Sequence, residues 1–156
     1  MADERWLRPD EAAAWRAYLF SNQLLMRALD RQLREDSGIP HTHYAVLVGL
    51  SMRPGQWAKV TELASLMDHS QSRMSHTISR LEAGGWVRRE RDPADQRVVR
   101  VVLTDSGREL LDAAAPGHVR CVRENLFDGL SADQVTQLRD VCEIMLDRLG
   151  GCVPQF

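Results

Sequence analysis

Residues 70–86 read SQSRMSHTISRLEAGGW. At helical spacing the apolar side chains are Met74, Ile78 and Leu81, which fall at i, i+4 and i+7 and form one narrow stripe. The remaining surface is serine, threonine, glutamine, histidine and arginine. A helix that only faced water would carry glutamate and lysine there, which are better helix formers. Ser70 suits an N-cap, and the Gly84-Gly85 pair ends the helix. One thin apolar stripe beside a row of short donors and acceptors describes a helix that packs on one side and touches a polar partner on the other.

The flanking segments identify that partner. Upstream, HTHYAVLVGLSM (41–52) reads as a helix stopped by Arg53-Pro54-Gly55, and KVTELASLMD (59–68) as a second, shorter one. Downstream the period changes from helix to strand. WVRRE (86–90) and RVVRVVLT (97–104) are β-prone, and RDPADQ (91–96) between them is a turn signal. The order helix, helix, tight turn, helix, two-stranded hairpin predicts a winged helix-turn-helix over residues 40–103. In that motif the Ser70 helix enters the major groove of double-stranded DNA. Gln71 is suited to a bidentate contact with adenine and Arg73 to one with guanine. Ser70, Ser72, Ser75 and His76 supply further donors and acceptors for bases or phosphates, and Arg80, two turns on, faces the backbone. On the hairpin, Arg88 and Arg91 add cations. Arg97 at the tip is placed to reach the minor groove, with Asp95 two residues away to hold its side chain extended.

Charge distribution agrees with this placement. Between His69 and Arg100 seven arginines stand against four carboxylates, in a chain whose formal net charge is −2. A basic segment on an acidic chain points that segment at a polyanion. The length of 156 residues fits one domain, and 44% apolar residues suffice for a core. The chain has no run long and apolar enough for a membrane span. The start, MADERWLRPDEAAAW, is charged and has no apolar signal core, so a cytoplasmic location is expected. Cys121, Cys142 and Cys152 follow no CxxC spacing and are expected to be reduced thiols.

The fold class expected is mainly α with a small β-hairpin wing. Residues 8–38 read as one long helix, with Pro9, Asp10 and Glu11 in its first turn and Gly38 as its stop. A helix restarts at Thr104, with a kink or short break expected at Pro116-Gly117. A last helix opens with a Ser131/Gln134 capping box and runs to Gly150. Leu126, Phe127, Val141, Ile144, Met145, Leu146 and Leu149 exceed what a small winged core can cover. Residues 8–38 and 104–150 are therefore expected to form a homodimer interface, with half-sites one helical turn, about 34 Å, apart.

The stretch ELASLMDHSQSRMSHTISRLEAGGWVRRERDPADQRVVRVVLTDSG (62–107) resembles the MarR family of bacterial transcription regulators. The wing signature D-x-R is present as Asp95-Gln96-Arg97, the Leu-Thr-x-x-Gly element as Leu103, Thr104 and Gly107, and the helix exit as LEAGGWVRR. The resemblance covers nearly the whole chain in element order. It implies an obligate, triangular homodimer on a palindromic operator. It also implies repression, relieved in many members by a small phenolic or acidic ligand between the dimerisation and DNA-binding regions.

For such an inducer, Trp15, Tyr18, His41, His43 and Tyr44 are the candidate lining residues, although each also suits an ordinary core or cap position. His41, His43 and His118 are a candidate metal set by residue type, but they lack a carboxylate or cysteine partner pattern, so no metal and no cofactor is expected. Peroxide-sensing members of the family use a cysteine near the chain start, whereas the first cysteine here is Cys121. No Gly-rich phosphate loop, HExxH or nucleophile elbow is present, so no catalytic residues are assigned and an enzyme is not expected. The alternatives are a constitutive or architectural DNA-binding protein without a ligand, and a winged-helix module that pairs with protein. The arginine-bearing wing argues against the latter.

Overall fold

The computed structural model describes residues 6–151. Cys152 lies outside that range. α1 (Pro9–Ser37) carries Asp10 and Glu11 in its first turn, and the Arg8 backbone N–H donates to Glu11 Oε2 at 2.8 Å. α2 (His41–Ser51) follows Pro40, and Asp30 of α1 accepts the His41 backbone N–H at 2.8 Å, which satisfies one of the open donors at its start. α3 (Val60–Leu66) and α4 (Gln71–Ala83) form the helix-turn-helix. The wing is β2 (Val87–Arg91) and β3 (Val99–Leu103). α5 (Asp105–Val122) and α6 (Ala132–Arg148) close the chain.

The winged helix-turn-helix expected from the sequence is present, with one addition. Trp57–Lys59 forms a third strand, β1, antiparallel to β3 with Trp57 opposite Val102 and Lys59 opposite Arg100. The sheet order is β1-β3-β2, so the central strand of the wing is the last in sequence. Lys59, read above as the first residue of a helix, is a strand residue that sits at the N-cap of α3.

The core lies where α2, α3, α4 and the sheet meet. Val46, Leu47, Leu50, Leu63, Met74, Ile78, Leu81 and Val101 are fully buried there, and Leu33 and Ile39 reach in from the end of α1 and the turn after it. Burying each such side chain contributes roughly 1.5–3 kcal/mol. The turn out of α4 needs Gly85, which adopts φ 76°. Thr104 then joins wing to α5. Its N–H donates to the Trp86 carbonyl at 3.1 Å, its hydroxyl donates to the Gly85 carbonyl at 2.7 Å, and the same oxygen accepts the Gly107 N–H at 3.0 Å as the helix cap. A Cβ on Gly107 would stand 2.1 Å from the Trp86 carbonyl oxygen, so only glycine lets α5 approach the sheet this closely.

Pro116 does not break α5, contrary to the sequence expectation. α5 packs along α1 at the next residue: a Cβ on Gly117 would lie 3.0 Å from Gln32 Nε2 and Asp36 Oδ2. Packing on α1 thus offsets the hydrogen bond that proline removes. The irregularity lies further on, as one turn of π-helix at Arg123–Phe127, where Asn125 Nδ2 donates to the Cys121 carbonyl at 2.8 Å. The capping box of α6 forms as expected, with Ser131 N–H to Gln134 Oε1 at 2.9 Å and Gln134 N–H to Ser131 Oγ at 3.3 Å.

The terminal helices leave much apolar surface bare. α6 buries no residue within the chain, and Val141 and Ile144 on it are 55% and 58% exposed. On α1, Phe20 and Leu24 are also exposed.

Candidate nucleic-acid interface

α4 has three distinct faces. Met74, Thr77, Ile78 and Leu81 are buried, and Thr77 joins the apolar stripe by returning its hydroxyl to the Arg73 carbonyl at 3.1 Å. Ser75, Ser79 and Glu82, at i, i+4 and i+7, border the stripe on the side of β2. Gln71, Ser72, Arg73, His76 and Arg80 are exposed, and among the described residues their side chains take no intramolecular hydrogen bond. Ser70 is the N-cap, its oxygen accepting the Arg73 N–H at 3.2 Å. The start of α4 thus presents unengaged donors and acceptors on a helix held from behind.

The wing tip is organised from inside. Asp92 is buried, and its carboxylate accepts the Ala94 N–H at 2.7 Å, the Asp95 N–H at 3.2 Å and Arg100 Nε at 2.6 Å. The Ala94 amide, with Arg100 beside it, holds this carboxyl below the usual range. Arg100 in turn lies 3.9 Å from the centroid of the Trp57 ring. Arg91 Nη1 donates to the Gln96 carbonyl at 2.6 Å, so Arg91 braces the turn. Asp95 does not hold the Arg97 guanidinium as expected. Its carboxylate accepts the Arg97 backbone N–H at 3.0 Å, because residues two apart in a turn bring carboxylate and amide together. The Arg97 side chain is exposed and, among the described residues, takes no intramolecular hydrogen bond. Arg88 is exposed and paired to Glu90 at 3.2 Å.

In the middle of β2, Arg89 is half-buried between strand and helix. Its Nη2 donates to the Ser75 carbonyl and to Ser79 Oγ, both at 3.1 Å, and its Nη1 pairs with Glu82 Oε2. The Arg89 backbone N–H donates to Glu82 Oε1 at 3.0 Å. Sequence reasoning counted Arg89 only as charge and missed Asp92, Arg100 and Trp57. The pairing of Glu82 with Arg89 across the Gly84-Gly85 turn was the available signal. The Trp57–Arg100 stack needs the β1–β3 pairing and had none.

The proposed inducer residues separate into three places. His41 and Tyr44 line a pocket of about 290 Å³ with Val48, Leu66, Met67 and His118. The His118 ring lies 4.5 Å from Tyr44 and 5.7 Å from His41, centroid to centroid. Trp15 and Tyr18 stack on each other at 6.3 Å on the outside of α1, and Tyr18 borders a separate groove with Met145 and Leu149. His43 is buried and does not line the pocket, since two positions along a helix turn a side chain to another face. Burial pushes the imidazoles of His41 and His118 below their ordinary range and the Tyr44 phenol above it. His118 Nδ1 is buried without a hydrogen-bond partner. Among the described residues no three of His, Cys, Asp and Glu gather in a metal-binding arrangement.

Comparisons with known proteins follow the same geometry. A sequence model described as the MarR family matches residues 37–98. The crystal structure of Sco3205, a MarR family transcriptional regulator from Streptomyces coelicolor in complex with DNA, superposes with a TM-score of 0.87 at 43% identity, covering 93% of this chain and 91% of that one. The HTH-type transcriptional regulator YkoM of Bacillus subtilis (strain 168) is 37% identical over 67% of this chain. The transcriptional repressor MprA of Escherichia coli (strain K12) is 27% identical over 72% of it. The chain spans 66% and 63% of the lengths of these two relatives. With its D-x-R wing, its Leu-Thr-x-x-Gly junction and its close structural match to a regulator of similar length, the chain belongs to the MarR family.

Proposed function

We propose that this protein is a homodimeric, sequence-specific DNA-binding transcriptional regulator, acting in the cytoplasm as a repressor that a small ligand releases. The observation that carries this reading is the pairing of two unengaged surfaces: the donor-rich start of α4 and the uncommitted Arg97 at the wing tip. α4 lies in the major groove, with Gln71 and Arg73 on base edges and Ser72 and His76 on bases or phosphates, while Ser75, on the β2 side, borders this face. Ser70 caps the helix beside a phosphate. Arg80 and Arg88 meet the backbone, and Arg97 enters the minor groove. Arg91 and Asp95 shape the wing rather than touch bases. Residues 40–103 carry this work, while residues 8–38 and 104–150 pair with a second copy.

The pocket at His41, Tyr44 and His118 is the effector site, because it lies between α5 and the helices that carry α4. The DNA-bound relative supports the binding mode, and the repressor among the relatives supports the sign.

The test is fluorescence anisotropy of the purified protein on its own upstream intergenic DNA and on a scrambled duplex across a salt series. Tight binding to the upstream duplex alone, with a two-fold-symmetric footprint, is expected. Equal, weak binding to both duplexes would overturn sequence-specific regulation at that site.

A further inference from the structure

Arg89 is half-buried, and every bond of its guanidinium runs to α4. From the middle of β2 its guanidinium spans to α4, meeting the Ser75 carbonyl, Ser79 Oγ and the Glu82 carboxylate, while its own backbone N–H meets the other oxygen of Glu82. Ser79 Oγ also donates to the Ser75 carbonyl at 3.0 Å, which closes the network on itself. The three α4 residues form one row along the helix, immediately beside the core stripe.

We propose that Arg89 is a positioning residue for operator recognition, a clamp that fixes the angle between the reading helix and the wing so that both reach DNA as one rigid body. This rests on the DNA-binding reading above. A protein that must fill a major groove with α4 and an adjacent minor groove with Arg97 gains affinity when the two are held in register before binding. The apolar core holds one face of each element. Met74, Ile78 and Leu81 anchor one side of α4, and Val87, Val101 and Leu103 anchor the strands. The clamp adds a polar tie on the adjoining face, through the backbone of Ser75 in the first turns of α4. A planar fork with several donors suits this task better than a lysine ammonium.

The decisive variant is Glu82→Ala. Removing a carboxylate next to the DNA face adds to the positive field, so electrostatics alone predicts tighter binding to every duplex. The clamp predicts the opposite for the operator: affinity falls about tenfold, while binding to scrambled DNA stays equal or rises. Arg89→Ala should show the same operator loss with an unchanged salt slope, and its loss should shrink when combined with Arg97→Ala, since a wing without its arginine has nothing to align. Thermal melts and sedimentation of each variant identify any that fail to fold or pair, and Ser79→Ala, which removes one bond only, then carries the test with a smaller loss of the same sign. Operator affinity in Glu82→Ala equal to or above wild type overturns the clamp. So does a salt slope in Arg89→Ala reduced by about one, which would put Arg89 on a phosphate. Wild-type affinity in Arg97→Ala also overturns it, and that arm locates the fault in the wing reading itself.

Discussion

Gln71 and Arg73 are proposed to differ from Arg88 in role, although all three are exposed polar side chains. Base contacts carry sequence information and phosphate contacts do not. Gln71→Ala and Arg73→Ala should therefore change which operator variants bind best, each costing about 1–3 kcal/mol on the preferred site. Arg88→Ala should weaken all duplexes alike and lower the salt slope by about one. Anisotropy on a panel of single-base operator variants checks this, and equal losses on operator and random DNA from all three would place the reading face elsewhere.

The histidines give a separate prediction at this scale. Burial holds His41, His43 and His118 below the ordinary imidazole value of 6.5, with Arg80 and Arg34 adding to the effect at His43 and His41 at His118. Asp30 pulls His41 weakly the other way. Below that value the unfolded chain takes up protons first, so the stability present above it is lost as pH falls towards the depressed folded values. Thermal melts should show Tm level above neutrality and falling on acidification, with a slope of at most about 1.4 kcal/mol per pH unit for each histidine. His118→Gln should flatten that slope, and an unchanged slope in the variant would remove His118 from the account. The exposed, unengaged residues at the start of α4 were legible because an unusual composition on a helix has few other uses. Asp92, Arg100 and Trp57 were not, because a cation over a ring and a carboxylate under a turn exist only once the strands have paired.

Helix and strand periods were the most legible level. The reading helix, its Ser70 cap, the capping box at Ser131 and the change of period at the wing all appear where residue spacing places them. β1 was hidden because Trp57–Lys59 is three residues long, too short for alternation to register, and gains its partners only from β3. Pro116 misled for the opposite reason: a strong local signal lost to the packing of α5 on α1. The junction between wing and α5 is the element contact with least slack. Gly107→Ala would drive a methyl into the Trp86 carbonyl, at 2.1 Å in the present geometry. A loss of about 2–4 kcal/mol is expected in urea unfolding, with operator affinity reduced in the fraction that remains folded. A variant as stable as wild type would mean that the sheet end gives way easily.

For the whole molecule, the bare apolar faces of α1 and α6 matter most. Ile144 is 58% exposed on a helix that buries nothing within its own chain. Ile144→Asp should therefore leave the helical content of one chain intact and abolish the proposed dimer, read by sedimentation velocity. Operator binding should fall with it, because two half-sites are then read one at a time. A dimeric Ile144→Asp protein would place the pairing surface elsewhere. The Thr104 junction has a mechanical consequence for such a dimer. No slack chain separates β3 from α5, so the reading head is bolted to a shaft of 18 residues. That shaft is about 27 Å long, and a tilt of only about 5° at its far end swings the head by roughly 2 Å. Two heads swinging symmetrically about a two-fold axis would change their separation by about twice that, more than one base-pair step of about 3.4 Å. A molecule filling the space beside His118, which rides on the same shaft, needs to turn it only slightly to leave both heads out of step with the grooves.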